Sequence, residues 1–122
     1  MSEARQAIQA AVAAGADELV AGDVDRARTF MTGAEEALVL EQYKRARTAA
    51  LAAKRTALLA HKVAVSIQTA EQLADTANGR GLDVSAARAS LASARRAAEA
   101  GASTEAIRAA ETASRLLRAQ LE

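Results

Sequence analysis

Apolar positions recur along this chain at the spacing of helices. Ala4, Ile8, Ala11, Val12, Gly15 and Leu19 fall on one side of a first helix that Ser2 and Glu3 open and that reaches about Val20. Farther on, Val84, Ala87, Leu91, Ala94 and Ala98 are spaced 3, 4, 3, 4, which predicts a helix ending at Glu99. A last helix starts at Ser103 or Thr104, with Glu105 in its first turn, and runs to about Gln120; Arg115 and Arg118 sit near its end, as the helix macrodipole favours. No stretch alternates apolar and polar residues with β-branched or aromatic side chains, so no strand is predicted. The pattern predicts an all-α protein, a helical bundle in one domain spanning residues 1–122.

Punctuation between the helices comes from glycine. Ala21-Gly22-Asp23 offers a terminating glycine followed by a capping carboxylate, the chemistry of a tight helix-to-helix turn. Asn78-Gly79-Arg80-Gly81-Leu82-Asp83 is the strongest turn in the chain, with Asp83 or Ser85 placed to cap the helix that follows. Between these two signals Gly33 is the only glycine, and it stands too early to divide the segment evenly. We therefore expect one long central helix from about Val24 to Ala77, about 80 Å at 1.5 Å per residue, flanked by a short N-terminal helix and a C-terminal helical hairpin. The alternative is a compact bundle in which the segment breaks between residues 48 and 56.

Residues 21–27, AGDVDRA, have a counterpart in AGASTEA at 100–106. Laying Gly22 on Gly101 also aligns Ala27 with Ala106 and Ala34 with Ala113, as one unit used twice or as convergence on a good turn between helices. Gly22-Asp23-Val24-Asp25-Arg26-Ala27, followed by Met31 and Ala34, is similar to the turn and second helix of tetratricopeptide-like helical hairpins. The resemblance covers residues 21–38 and 100–117, and it implies a scaffold of helix pairs that binds peptides.

The long segment carries two apolar rows. Ala46, Ala50, Ala53, Ala57, Ala60 and Ala64 recur at 4, 3, 4, 3, 4, a heptad seam made wholly of alanine. Such a seam calls for a closely packed, near-parallel partner helix, either a neighbour in the same chain or a second copy. Leu51, Leu58 and Val65 recur every seven residues on roughly the opposite side. A helix with apolar rows on two sides needs cover on both. The nine residues are candidate contacts for self-association into a homo-oligomer or for capture of another helical protein.

Composition sharpens that expectation. Half of the residues are apolar, but 36 are alanine, which buries far less area than leucine, so a lone domain would be marginally stable. Cysteine is absent, which excludes disulfides and thiolate chemistry. No run of 18 apolar residues occurs, and Arg5, Gln6, Gln9, Asp17 and Glu18 interrupt any leader-like segment, so no membrane insertion and a cytoplasmic location are expected.

The net charge of +1 conceals a partition. Residues 1–41 carry eight acids and three bases, whereas residues 42–70 carry six bases and no acid. Lys44, Arg47, Lys54, Arg55 and Lys62 cluster on one helical face at 100° per residue, with Arg45 apart. Such a face can bind the phosphates of a nucleic acid or another anionic polymer, or it can neutralise the acidic N-terminal third within or between chains. Only Phe30 and Tyr43 could stack on bases.

No constellation nominates itself for catalysis. His61 is the single histidine, beside Lys62 and far from acids, so no metal site is indicated. Asp17-Glu18, Asp23-Asp25 and Glu35-Glu36 read as caps and solvated faces, because paired catalytic carboxylates need a buried pocket. No glycine loop that would cradle a phosphate is present, and no cofactor is implied. The sequence points to a non-enzymatic structural or protein–protein interaction module, an assembly or scaffold part, with anionic-polymer binding as the alternative.

Overall fold

The structure, a computed structural model, describes all residues from Met1 to Glu122. It is an all-α helical bundle of six helices: α1 (Ser2–Ala13), α2 (Ala16–Leu19), α3 (Ala21–Val39), α4 (Tyr43–Gly79), α5 (Ser85–Glu99) and α6 (Ser103–Leu121). No helix is long and apolar enough to cross a membrane. Two compact units divide the chain, Met1–Lys62 and Val63–Glu122, and α4 contributes residues to each. The boundary between the units falls inside α4, so no glycine, proline or polar linker marks it.

In the first unit α1, α3 and the first half of α4 bury their small faces against one another. Ala4 of α1, Met31 and Ala34 of α3, and Ala50 and Ala53 of α4 form one cluster, with Met1, Ile8 and Ala49 packed on it. Ala7, Ala27 and Ala57 form a second, which Ile8 also touches. Each helix offers alanine at the contact, and small contact residues allow a short interaxial distance. In the second unit α5 and α6 pack on each other, Arg95 of α5 pairs with Glu71 of α4, and Ile67, Leu117 and Val63 are fully buried. Gln120 closes this unit by donating from Nε2 to the backbone carbonyl of Asp83 at 2.6 Å.

Three sequence-based boundaries need correction. The first helix does not reach Val20: α1 stops at Ala13, and Gly15 adopts φ 87°, with its amide donating to the Val12 carbonyl at 2.9 Å. Gly15 carries the apolar periodicity and also provides the break, since only glycine enters the left-handed region without a Cβ penalty. The expected turn at Ala21-Gly22-Asp23 is in fact the first turn of α3, where the amides of Asp23 and Val24 both donate to the Val20 carbonyl. Gly22 and Gly101 thus play different parts: the first is helical, the second ends α5 at φ 77°. Neither Ser103 nor Thr104 caps α6 as expected; Ala102 stands at the cap position and buried Ser103 begins the helix.

The long helix from Val24 to Ala77 is divided at Leu40-Glu41-Gln42 into α3 and α4. Gln42 donates its amide to the Ala37 carbonyl at 2.8 Å and Glu41 donates to Leu38 at 3.0 Å, the paired 6→1 and 5→2 bonds of a Schellman ending. The same pair ends α4, from Leu82 to Ala77 and from Gly81 to Asn78, and ends α5, from Ala102 to Ala97 and from Gly101 to Ala98. In those two, glycine holds the left-handed position; after α3 it is Glu41, at φ 60°. A break made without glycine leaves no signal in the sequence.

Candidate interaction surface

The first half of α4 shows two opposite faces. Its alanine seam points inward: Ala46, Ala50, Ala53, Ala57 and Ala60 are buried, as is Ala64 farther along the helix, none more than 8% exposed. Of the two partners that the spacing allows, a neighbour in the same chain or a second copy, the structure supplies the first. Ala50 and Ala53 meet Ala4, Met31 and Ala34, and Ala57 meets Ala7 and Ala27 of the same chain. Heptad spacing specifies a closely packed partner helix, not the chain that supplies it.

Leu51, Leu58 and Val65 are open to solvent, at 44%, 49% and 44% exposure. Along residues 44–62 the outer row does not stand alone. At 100° per residue Lys44, Leu51, Arg55, Leu58 and Lys62 lie within about 60° of one another, so bulky apolar groups alternate with cations on one face.

The cations of this face are mostly unpaired. Lys54 donates from Nζ to Glu3 Oε2 at 2.8 Å, and that hydrogen bond and charge together hold the Glu3 carboxyl below its ordinary value of 4.5. Lys44, Arg45, Arg47, Arg55 and Lys62 have no carboxylate within ion-pair distance, although Arg45 donates to Gln42 Oε1. Three acids of residues 1–41 are met instead by arginines of the same stretch: Glu35 by Arg5, Asp25 by Arg28, and buried Asp23 by Arg26. Of the neutralisation expected between the acidic third and the basic face, the structure contains one pair, Glu3 with Lys54.

A second exposed apolar feature escaped the sequence analysis. Leu38, Val39, Leu40 and Tyr43 are all exposed at the α3–α4 turn, Val39 to 82%. Nearby, Phe30 of α3 and Thr48, Ala49 and Ala52 of α4 line an open groove of ≈ 490 Å³, with Lys44 and Arg45 also in its wall. The available signal was the run Leu38-Val39-Leu40 beside Tyr43, which covers more of a helix circumference than one buried face can absorb. Exposed apolar clusters of this kind mark contact surfaces more often than scattered single residues do.

The other candidates stay apart. His61 lies partly buried on α4. Asp17 and Glu18 are exposed in the first turn of α2, and Glu35 and Glu36 are exposed on α3. Comparison of the chain with models of protein families, with curated proteins and with solved structures found no match.

Proposed function

We propose that the chain is a non-enzymatic helical interaction module that self-associates, through the exposed face of α4 in its first unit and the apolar α3–α4 turn. The observation that carries this reading is the alternation of exposed Leu51 and Leu58 with Lys44, Arg55 and Lys62, cations that no acid of the chain engages. A second copy has the complementary chemistry: Glu36 and Glu41 are exposed without ion-pair partners beside Leu38, Val39 and Leu40. The likeness of residues 100–117 to tetratricopeptide-like hairpins supports the same class of work, binding through helix faces.

Light scattering across a range of concentrations tests the proposal. The wild type is expected above its chain mass of 12.6 kDa, and Leu58→Glu combined with Val39→Asp at that mass with unchanged helix content. A wild type that stays at 12.6 kDa at every concentration sinks self-association.

The same unpaired cations favour one alternative, an anionic polymer such as a nucleic acid bound along Lys44, Arg47, Lys54, Arg55 and Lys62. Labelled duplex should then bind with an affinity that falls steeply with salt, and Arg47→Glu with Arg55→Glu should abolish binding.

A further inference from the structure

Within the second unit, a groove of ≈ 450 Å³ opens between α4 and α6. We infer that it is a binding site for a small phosphate dianion, inorganic phosphate or a phosphate monoester. From α4 it is lined by Ser66 and Thr69, three residues apart, and from α6 by Ser114, Arg115 and Arg118. Residues at these spacings share a helix face, so the two helices turn three hydroxyls and two guanidiniums toward one space. Val65 and Glu111 complete the lining.

Neither arginine is used by a carboxylate. Arg115 donates to Thr112 Oγ1 at 3.2 Å, and no acid lies within ion-pair distance of Arg115 or Arg118, Glu111 included. Preference of cations for the carboxyl end of a helix accounts for arginine at these positions, but not for what faces them. The groove on the α5 side of α4 shows the contrast: there Arg95 meets Glu71 of α4 in an ion pair. Opposite Arg115 and Arg118, α4 supplies serine and threonine, which can donate hydrogen bonds to an anion where a carboxylate would repel it.

The chemistry suits a tetrahedral dianion. Two guanidinium forks match two negative charges and bind oxygens in pairs, while hydroxyl donors reach the remaining oxygens. Ser114 is buried in the wall of the groove. Glu111 opposes the bound charge and keeps the affinity low.

The test is an amide NMR titration of the full chain with sodium phosphate and, in a second arm, with glycerol phosphate. Both run at a pH where phosphate is a dianion and at ionic strength held constant with chloride. Saturable shifts confined to residues 65–69 and 111–118 are expected. Arg115→Gln with Arg118→Gln should weaken binding at least tenfold, whereas Glu111→Gln should tighten it several-fold, with melting temperatures close to wild type. Tighter binding of the ester would identify the natural ligand as a monoester, and equal binding as the free ion. Shifts that never saturate, that map to residues 44–62, or that survive loss of both arginines would overturn the site.

Discussion

Lys54 on α4 donates a 2.8 Å hydrogen bond to Glu3 on α1, and this is the one ion pair that α4 makes within the first unit. Because the folded state lowers the Glu3 value, the stabilisation is complete above the ordinary value of 4.5 and is lost as pH falls through the lower folded value. Acid titration of the Glu3 carboxyl by NMR should show its midpoint rising toward 4.5 in Lys54→Met. A midpoint unmoved by that substitution would show that the pair does not form in solution.

Asp83 behaves in the same direction for a different reason. Its Oδ1 accepts hydrogen bonds from the hydroxyl of Ser85 at 2.6 Å and from the Ser85 amide at 3.0 Å, holding its carboxyl below the ordinary 3.8. The carboxylate also faces the amino end of α5, where negative charge is favoured. Asp83→Ala should lower the thermal midpoint at neutral pH, and the difference from wild type should vanish as acid protonates Asp83.

Glu41 holds a left-handed backbone at φ 60°, which costs a residue with a Cβ about 1–2 kcal/mol, partly offset in any comparison by the greater freedom of unfolded glycine. Glu41→Gly should therefore raise stability by about 0.5–1 kcal/mol in urea unfolding. Glu41→Val, which adds β-branching to the same conformation, should lower it. The opposite order would mean that α3 and α4 are not separated by this turn.

Ala53 is fully buried in one cluster with Ala4, Met31 and Ala34. Ala53→Leu should cost about 1–3 kcal/mol through overpacking. Leu58→Ala, on the exposed face of the same helix, should change the stability of the monomer by no more than about 0.5 kcal/mol. Equal effects at both positions would contradict the assignment of an inner and an outer face.

Helical class, the C-terminal hairpin and the two faces of α4 were legible in the sequence because each rests on periodicity or on a glycine in the left-handed region. Leu91, Ala94 and Ala98 are buried as their spacing predicts, and Gly81 and Gly101 end helices as their positions predict. Gly22 misled because a glycine also fits the first turn of a helix, and its φ cannot be read from its neighbours. The break at Glu41 was hidden because a backbone that pays local strain for tertiary packing does so with an ordinary residue. The alanine seam was found as a contact, yet its partner was beyond reach: the match with Ala4 and Ala34 depends on where α1 and α3 lie, and spacing within α4 carries none of that.

All but nine of the buried apolar residues are alanine. An alanine methyl has no rotamers to surrender, so packing this interior freezes little side-chain motion, where a leucine core would give up about 0.5–1 kcal/mol at each position. It also withdraws less hydrocarbon from water, and the heat capacity gained on unfolding follows that area. Stability in such a molecule changes slowly with temperature: its curve is shallow and broad, low at the summit and gentle toward both cold and heat.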